Sequence, residues 1–555
     1  MQGLILLAAA AVLVSGPAHA ASGRIDPALM KQDIKVLSSD AFQGRAPATI
    51  GETKSVGYIE TQFKAAGLQP GGDKTKTGRS WTQNVPLADF EIQGPVRVSV
   101  TAGGRTLTWK QGEEVALRAA QTGQTHVSIK DAPVVFVGYG VTAPERNWDD
   151  YKGVDLHGKI ALVLVNDPDF ETAPKCENGC AFGGKAMTYY GRWTYKYEEA
   201  ARRGALGMIV IHEIAPASYG WNTVKNSNTN PVFDIIRKDP AKAHVPLEGW
   251  IQHDPTVELF KAAGLDYDQL KKVAETRDFR PVILKGVTWS TDFAVKARKI
   301  VTHNVVGILP GRRHPNERVI YTAHWDHLGV GLPDARGDRI YNGAVDNASG
   351  VAGLIELARL FGQAPRTDRS VMFMSVTSEE KGLLGSEYYA ANPLYPLATT
   401  VADINMDVMN VNGPTRDVTS SGNAPLTLRD DLVAVAKQHG LYYSPDPSPE
   451  AGHFYRSDHF SFAKRGVPAI SVSGGIDLVN GGIAAGRAAA QAYTRERYHQ
   501  PADEYDPNWD LSGMVQEVQV LYDLGRRLAD SREWPQWKPG AEFKAARDKT
   551  AAQRK

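Results

Sequence analysis

From Asn304 onward, short apolar runs alternate with amphipathic stretches, and this alternation limits the possible folds more than any other feature. Runs at 305–309, 319–323, 371–377, 402–406 and 468–472 read as strands, and helical periodicity marks about 351–361, 383–391, 426–438 and 514–530. Such alternation predicts an α/β sheet with helices on its faces, whose ligands collect beyond the carboxyl ends of the strands.

Polar groups fall at those ends. His324 and Asp326 follow the run 319–323 two residues apart, so both side chains project to one side. This is a way to hold a metal: His324 ligates, and Asp326 accepts the second ring N–H and orients the imidazole. Asp346, Glu379, Glu380, Asp407 and His499 also sit at strand ends or in loops. Each has a plainer reading. Adjacent acids such as Glu379 and Glu380 suit a solvated helix N-terminus, and Asp407 suits a turn. Their convergence on one edge of the sheet favours a site in which His324, Asp346, Asp407, Glu380 and His499 hold two ions. Imidazole and carboxylate donors without thiolate suit zinc and admit cobalt or manganese.

At 555 residues the chain exceeds what one core serves, so at least one further unit is expected. With 63 Lys+Arg against 62 Asp+Glu, nothing points to nucleic acid or an anionic membrane as partner. Residues 1–20 carry an apolar run from Leu4 to Val14 and then Ala18-His19-Ala20, which reads as a secretory signal peptide. The run is too short to span a bilayer, and no other stretch approaches that length. The expectation is a soluble, exported protein, periplasmic or extracellular. The two cysteines, Cys176 and Cys180, are expected to form a local disulfide in that compartment.

Ahead of the alternation, a helix is expected from Asp26-Pro27 and another over about 52–66, with a polar loop between them and no chemistry in either. From about Phe90 the texture changes to short β-rich runs, with a single helix pattern, YKYEEAARRGALGMIVI, among them. This reads as a separate small domain of mostly strands. The segment 536–555 reads as a polar, basic and loosely ordered tail.

In order along the chain, AHWDHLG, NGAVDNASG, SEEKGLLGS, NMD and YHQPADEY resemble the M28 family of dinuclear zinc exopeptidases. The likeness covers about 304–527 and, more weakly, the segment SSDAFQGR to GLQPGG. It implies a three-layer αβα sandwich on a mixed, mostly parallel sheet. It also implies His324 and Asp407 on one zinc, Glu380 and His499 on the other, Asp346 bridging both, Glu379 as general base, Tyr498 as oxyanion donor and a cis Asp346–Asn347 bond. Arg456 and Asp458, in YRSDHFSFAKRGVP, match the family's substrate-side loop. Asp503 is expected to hold the loop or a histidine ring, and His327 and His459 to be supporting groups rather than ligands. The middle of the chain resembles a protease-associated (PA) domain. The expected organisation is then a signal peptide (1–20), an N-terminal part of the peptidase domain (21–90), an insertion containing the PA domain (91–295), the catalytic zinc domain (296–535) and the tail (536–555).

The function implied is a secreted aminopeptidase acting on peptides with two zinc ions per chain, as a monomer. A glutamate-releasing carboxypeptidase shares the metal site but needs a basic cluster for substrate carboxylates, for which Arg456 is the candidate. A receptor-like relative would have lost ligands, and all are present here.

Overall fold

The computed structural model describes residues 24–173 and 180–554; the expected signal peptide and Cys176 lie outside them. Helix α1 (Pro27–Leu37) starts where the Asp26 carboxylate accepts the N–H groups of Ala28 and Leu29, with proline in its first turn. Helix α2 (Ile50–Ala65) is capped in the same way by the Thr49 hydroxyl.

Strands β1 (Thr82–Ala102), β2 (His126–Phe136), β3 (Ile160–Leu164), β4 (Gly207–His212), β5 (Leu247–Gln252), β6 (Val282–Leu309), β7 (His314–His324), β8 (Arg369–Val376), β9 (Thr400–Asn405) and β10 (Ala469–Gly474) belong to one mixed sheet. Its spatial order runs β10-β9-β7-β8-β6-β2-β3-β4-β5. The neighbours β10-β9-β7-β8 are parallel, as are β2-β3-β4-β5. The 28-residue β6 is antiparallel to β8 at one end and to β2 at the other, and β1 runs antiparallel along it.

The middle of the chain is therefore not set apart as its β-rich texture suggests. It has its own cores, one around Phe136, Phe260 and Phe279 and one around Tyr151, Tyr197 and Trp250, yet β1 and β6 carry one sheet through both halves. It also holds more than the single expected helix: α3 (Trp193–Arg202), α4 (Trp221–Asn228), α5 (His253–Ala262) and α6 (Tyr267–Ala274). The last three span eight to ten residues, too short for periodicity to stand out from the strands around them.

Helices α7 (Gly350–Gln363), α8 (Leu384–Ala391), α9 (Thr427–Gln438) and α10 (Ser512–Asp530) lie where periodicity predicts helices. α1, α2 and α10 pack around α7 as one layer, and α8 packs with the short helix His459–Lys464 in another. The helix Gly482–Glu496 has no counterpart in the sequence reading. Only Gly486 within it is buried, so there is no apolar stripe to read.

The segment after 536 departs from its expected looseness. Trp537 is buried and donates from Nε1 to Gly466 O (3.0 Å); Phe543 stacks on Phe454, and buried Arg547 donates to Thr400 O (3.1 Å). Two aromatic anchors outweigh the polar composition. Among the described residues no helix is long and apolar enough to cross a membrane.

Candidate metal centre

Parallel β7, β8 and β9 end at one edge of the sheet. His324 closes β7 opposite Val376, Glu379 and Glu380 follow just past Val376, and Asp407 lies two residues beyond the end of β9. Asp346 comes from the irregular turn 344–349 that feeds α7, and the Asp346–Asn347 peptide is cis. Gly343 permits this turn: its φ is +55°, and a Cβ there would overlap the Asp346 carbonyl oxygen and lie 2.6 Å from the His327 ring.

The side chains converge around Asp346. His324 Nε2 lies 3.4 Å from Asp346 Oδ1 and 3.3 Å from Asp407 Oδ1. On the other side, His499 Nε2 lies 3.3 Å from Asp346 Oδ2 and 3.0 Å from Glu380 Oε2. One carboxylate thus faces both imidazoles, an oxygen to each. His324, Asp346 and Asp407 form one group whose donor atoms lie within 4.8 Å of one another. A second such group is His327, Asp346 and Glu380. His327 is fully buried with Nδ1 2.6 Å from Glu380 Oε1, so it stands closer to the donors than the sequence reading assigns it.

Asp326 does not hold the His324 ring by its carboxylate as expected. Nδ1 of His324 is 3.1 Å from the Asp326 backbone carbonyl and 3.8 Å from its Oδ1, which instead accepts the Glu379 N–H at 3.0 Å. The chain turns after β7, bringing the carbonyl beneath the ring and the carboxylate under the Glu379 loop. Buried Asp503 accepts the N–H groups of Val345 and Asp346 at 3.1 and 3.0 Å and so grips the Asp346 turn.

Two further supports are absent from the sequence reading. The Asn347 side chain donates to Met406 O and accepts from Val408 N–H, tying the Asp346 turn to the Asp407 loop. Arg45, fully enclosed in the loop between α1 and α2, donates to the carbonyls of Leu37, Trp325, Asn342 and Gly343. The motif SSDAFQGR carried that signal, but one guanidinium reaching four carbonyls is a property of the folded chain.

Burial would raise Asp346, yet its hydrogen bonds to His324 and His499 hold it well below the usual carboxylate range. Burial likewise works against charge on Glu380, and His499 and His327 hold it low. Glu379 goes the other way: burial, reinforced by Asp407 and Glu380, lifts it well above the ordinary value. Among the described residues the ion-pair partners of Asp346, Glu379, Glu380 and Asp407 are all histidines, with no lysine or arginine. Clustered buried carboxylates faced by imidazole nitrogens have the chemistry of a divalent-cation site, and the residues fit zinc.

At the rim, Tyr498 stacks on His499, and its hydroxyl oxygen accepts from Arg456 Nη2 at 3.0 Å. Arg192, from the inserted unit, lies close enough for Arg456 to oppose its charge; burial and that neighbour lower it to about 10. Arg192 Nε is buried without a partner, and among the described residues neither arginine pairs with a carboxylate. Asp458, expected at the substrate, is fully buried; burial lifts its carboxyl to about 7, with His324, Asp407 and Glu380 near enough to act on its charge. Cys180 is disulfide-bonded.

Residues 304–522 match the model of Peptidase family M28. Among curated proteins, a probable zinc metalloprotease of Pyricularia oryzae is 32% identical over 144 residues, 25% of this chain and 27% of that protein. Aminopeptidase NAALADL1 of Mus musculus is 29% identical over 168 residues, 26% of this chain and 21% of that protein. The chain thus spans about a quarter of the length of these relatives. Among solved structures, an aminopeptidase from Aneurinibacillus sp. strain AM-1 superposes with a TM-score of 0.54 at 20% identity, over 93% of this chain and 97% of that one, and shares its fold. The α/β sheet, the order of its strand-end residues and the matching family model together make residues 304–522 of this chain a peptidase family M28 domain.

Proposed function

We propose that the protein is an exported metallo-aminopeptidase that removes N-terminal residues from peptides, with His324 and Asp407 on one zinc, Glu380 and His499 on the other, and Asp346 between them. The observation that carries this reading is the placement of one Asp346 oxygen toward each of two histidines. Zinc held there supplies Lewis acidity toward the scissile carbonyl and acidifies the attacking water. Glu379, whose carboxyl is held high by burial, takes the water's proton and passes it to the leaving amine. Arg456 donates to the Tyr498 oxygen, so the phenol's own hydrogen points elsewhere and serves the developing oxyanion. Asp326 holds the Glu379 backbone and so keeps the base in register. The relatives named for aminopeptidase activity support the choice of peptide end.

Arg192 and Arg456, neither paired with a carboxylate among the described residues, favour a second reading, a carboxypeptidase that grips a free substrate carboxylate. One experiment separates the two: hydrolysis of an aminoacyl p-nitroanilide, its N-acetylated twin and an N-acetyl dipeptide with a free carboxylate, before and after chelator dialysis and zinc add-back. Cleavage confined to the free-amine compound, lost with chelator and restored by zinc, is expected. Cleavage of the N-acetyl dipeptide instead would transfer the assignment to the carboxypeptidase.

A further inference from the structure

The metal centre is not built by the peptidase segment alone, because α4 of the inserted unit lies across the backbone that carries His499. Thr223 Oγ1 donates to Tyr498 O (3.4 Å), Asn226 Nδ2 donates to His499 O (3.0 Å), and Ser227 Oγ lies 2.8 Å from His499 Nδ1. His499 needs such support: its φ is +56°, a left-handed conformation disfavoured for a residue with a Cβ.

Ser227 stands out within its own surroundings. Asn228, Thr229 and Asn230 each fold back onto the carbonyl four residues earlier, at 2.7, 2.8 and 2.7 Å. Back-bonding is the ordinary use of such side chains at the end of a helix. Ser227 instead reaches outward to the imidazole. Polar residues of this kind are poor helix formers, so the composition of α4 reflects what it touches rather than a preference for helix.

The bond has a chemical consequence. His499 Nε2 faces Asp346 and Glu380, so a ligating ring must keep its lone pair there and carry its proton on Nδ1. The Ser227 oxygen is the acceptor for that proton. Resting on the two-zinc reading above, we propose that Ser227 is a positioning residue for the half-site built on Glu380 and His499: the inserted unit fixes the tautomer and aim of His499, and this half-site binds its ion tightly only with α4 docked.

The test is zinc titration of the metal-free full-length protein, followed by calorimetry, for wild type, S227A and the isosteric pair S227T and S227V. Two steps are expected for wild type. Removing such an outer partner typically weakens affinity about 10- to 100-fold. S227A and S227V are therefore expected to weaken one step by at least about 10-fold, with the other step and the metal-free unfolding midpoint unchanged, while S227T keeps both steps. If S227A does not fold, the comparison of S227T with S227V decides. Unchanged steps in every variant, equal weakening of both steps, or equal losses in S227T and S227V would overturn the inference. A single step in wild type would instead overturn the two-zinc reading and this inference with it.

Discussion

Glu379 and Glu380 are neighbours in sequence but serve opposite electrostatic ends. Glu380 faces two histidines, which hold its carboxyl low, whereas burial beside other carboxylates holds the Glu379 carboxyl high. Replacing Glu379 with glutamine keeps the shape and removes the base. Steady-state kinetics of E379Q should show kcat reduced by about 10²- to 10⁴-fold, while metal analysis finds zinc content equal to wild type. Loss of zinc along with activity would make Glu379 a ligand instead. The adjacent acids were legible in the sequence; their division of labour was not, because burial and neighbours set it. A second residue-scale effect lies away from the metal. Burial opposes charge on His244, but Glu248 and Asp234, at 3.1 and 3.0 Å, outweigh it and lift the ring to about 9. Because this value is raised in the folded state, the stabilisation is fully present below the unfolded value of about 6.5 and is lost as pH rises through about 9. Denaturant unfolding of H244Q against wild type should therefore show a difference on the order of 3 kcal/mol at pH 6, shrinking toward zero by pH 10.

Among elements, the strands and helices with strong apolar periodicity matched the reading from sequence, including α7 and α10 around the core. Those that escaped it, Gly482–Glu496 and the short helices of the inserted unit, bury too little or extend too briefly to leave a pattern. The C-terminal segment shows the reverse error. Its charge suggested looseness, yet Trp537 and Phe543 seat it against Phe454 and Gly466. Truncating a buried aromatic to alanine costs about 3–5 kcal/mol, so W537A should lower the stability measured by chemical denaturation by that amount. A change below about 0.5 kcal/mol, the size of an ordinary surface substitution, would mean that the segment does not contribute to the fold.

At the scale of the whole molecule, β6 and β1 join the inserted unit to the peptidase segment through one sheet, and α4 returns from that unit to the metal centre. The centre gathers carboxylates from three separate stretches of chain, and their mutual repulsion opposes folding unless cations are bound. Saturating zinc should therefore raise the unfolding midpoint of chelator-treated protein. A concentration 100 times the dissociation constant corresponds to about 2.7 kcal/mol, and scanning calorimetry with and without zinc reads it. The midpoint of D346A, which lacks the shared carboxylate, should respond far less.

The sequence by itself determined the sheet's alternating elements and which polar residues stand at the strand ends, because both follow from local periodicity and residue chemistry. Only the tertiary structure decided that Asp346 faces two histidines at once, that His327 joins the donors, that Asp458 is fully buried, and that Arg45, Asn347 and Ser227 hold the loops in place. Those relations join residues tens to hundreds of positions apart, and packing and hydrogen-bond geometry settle them only once the chain has folded.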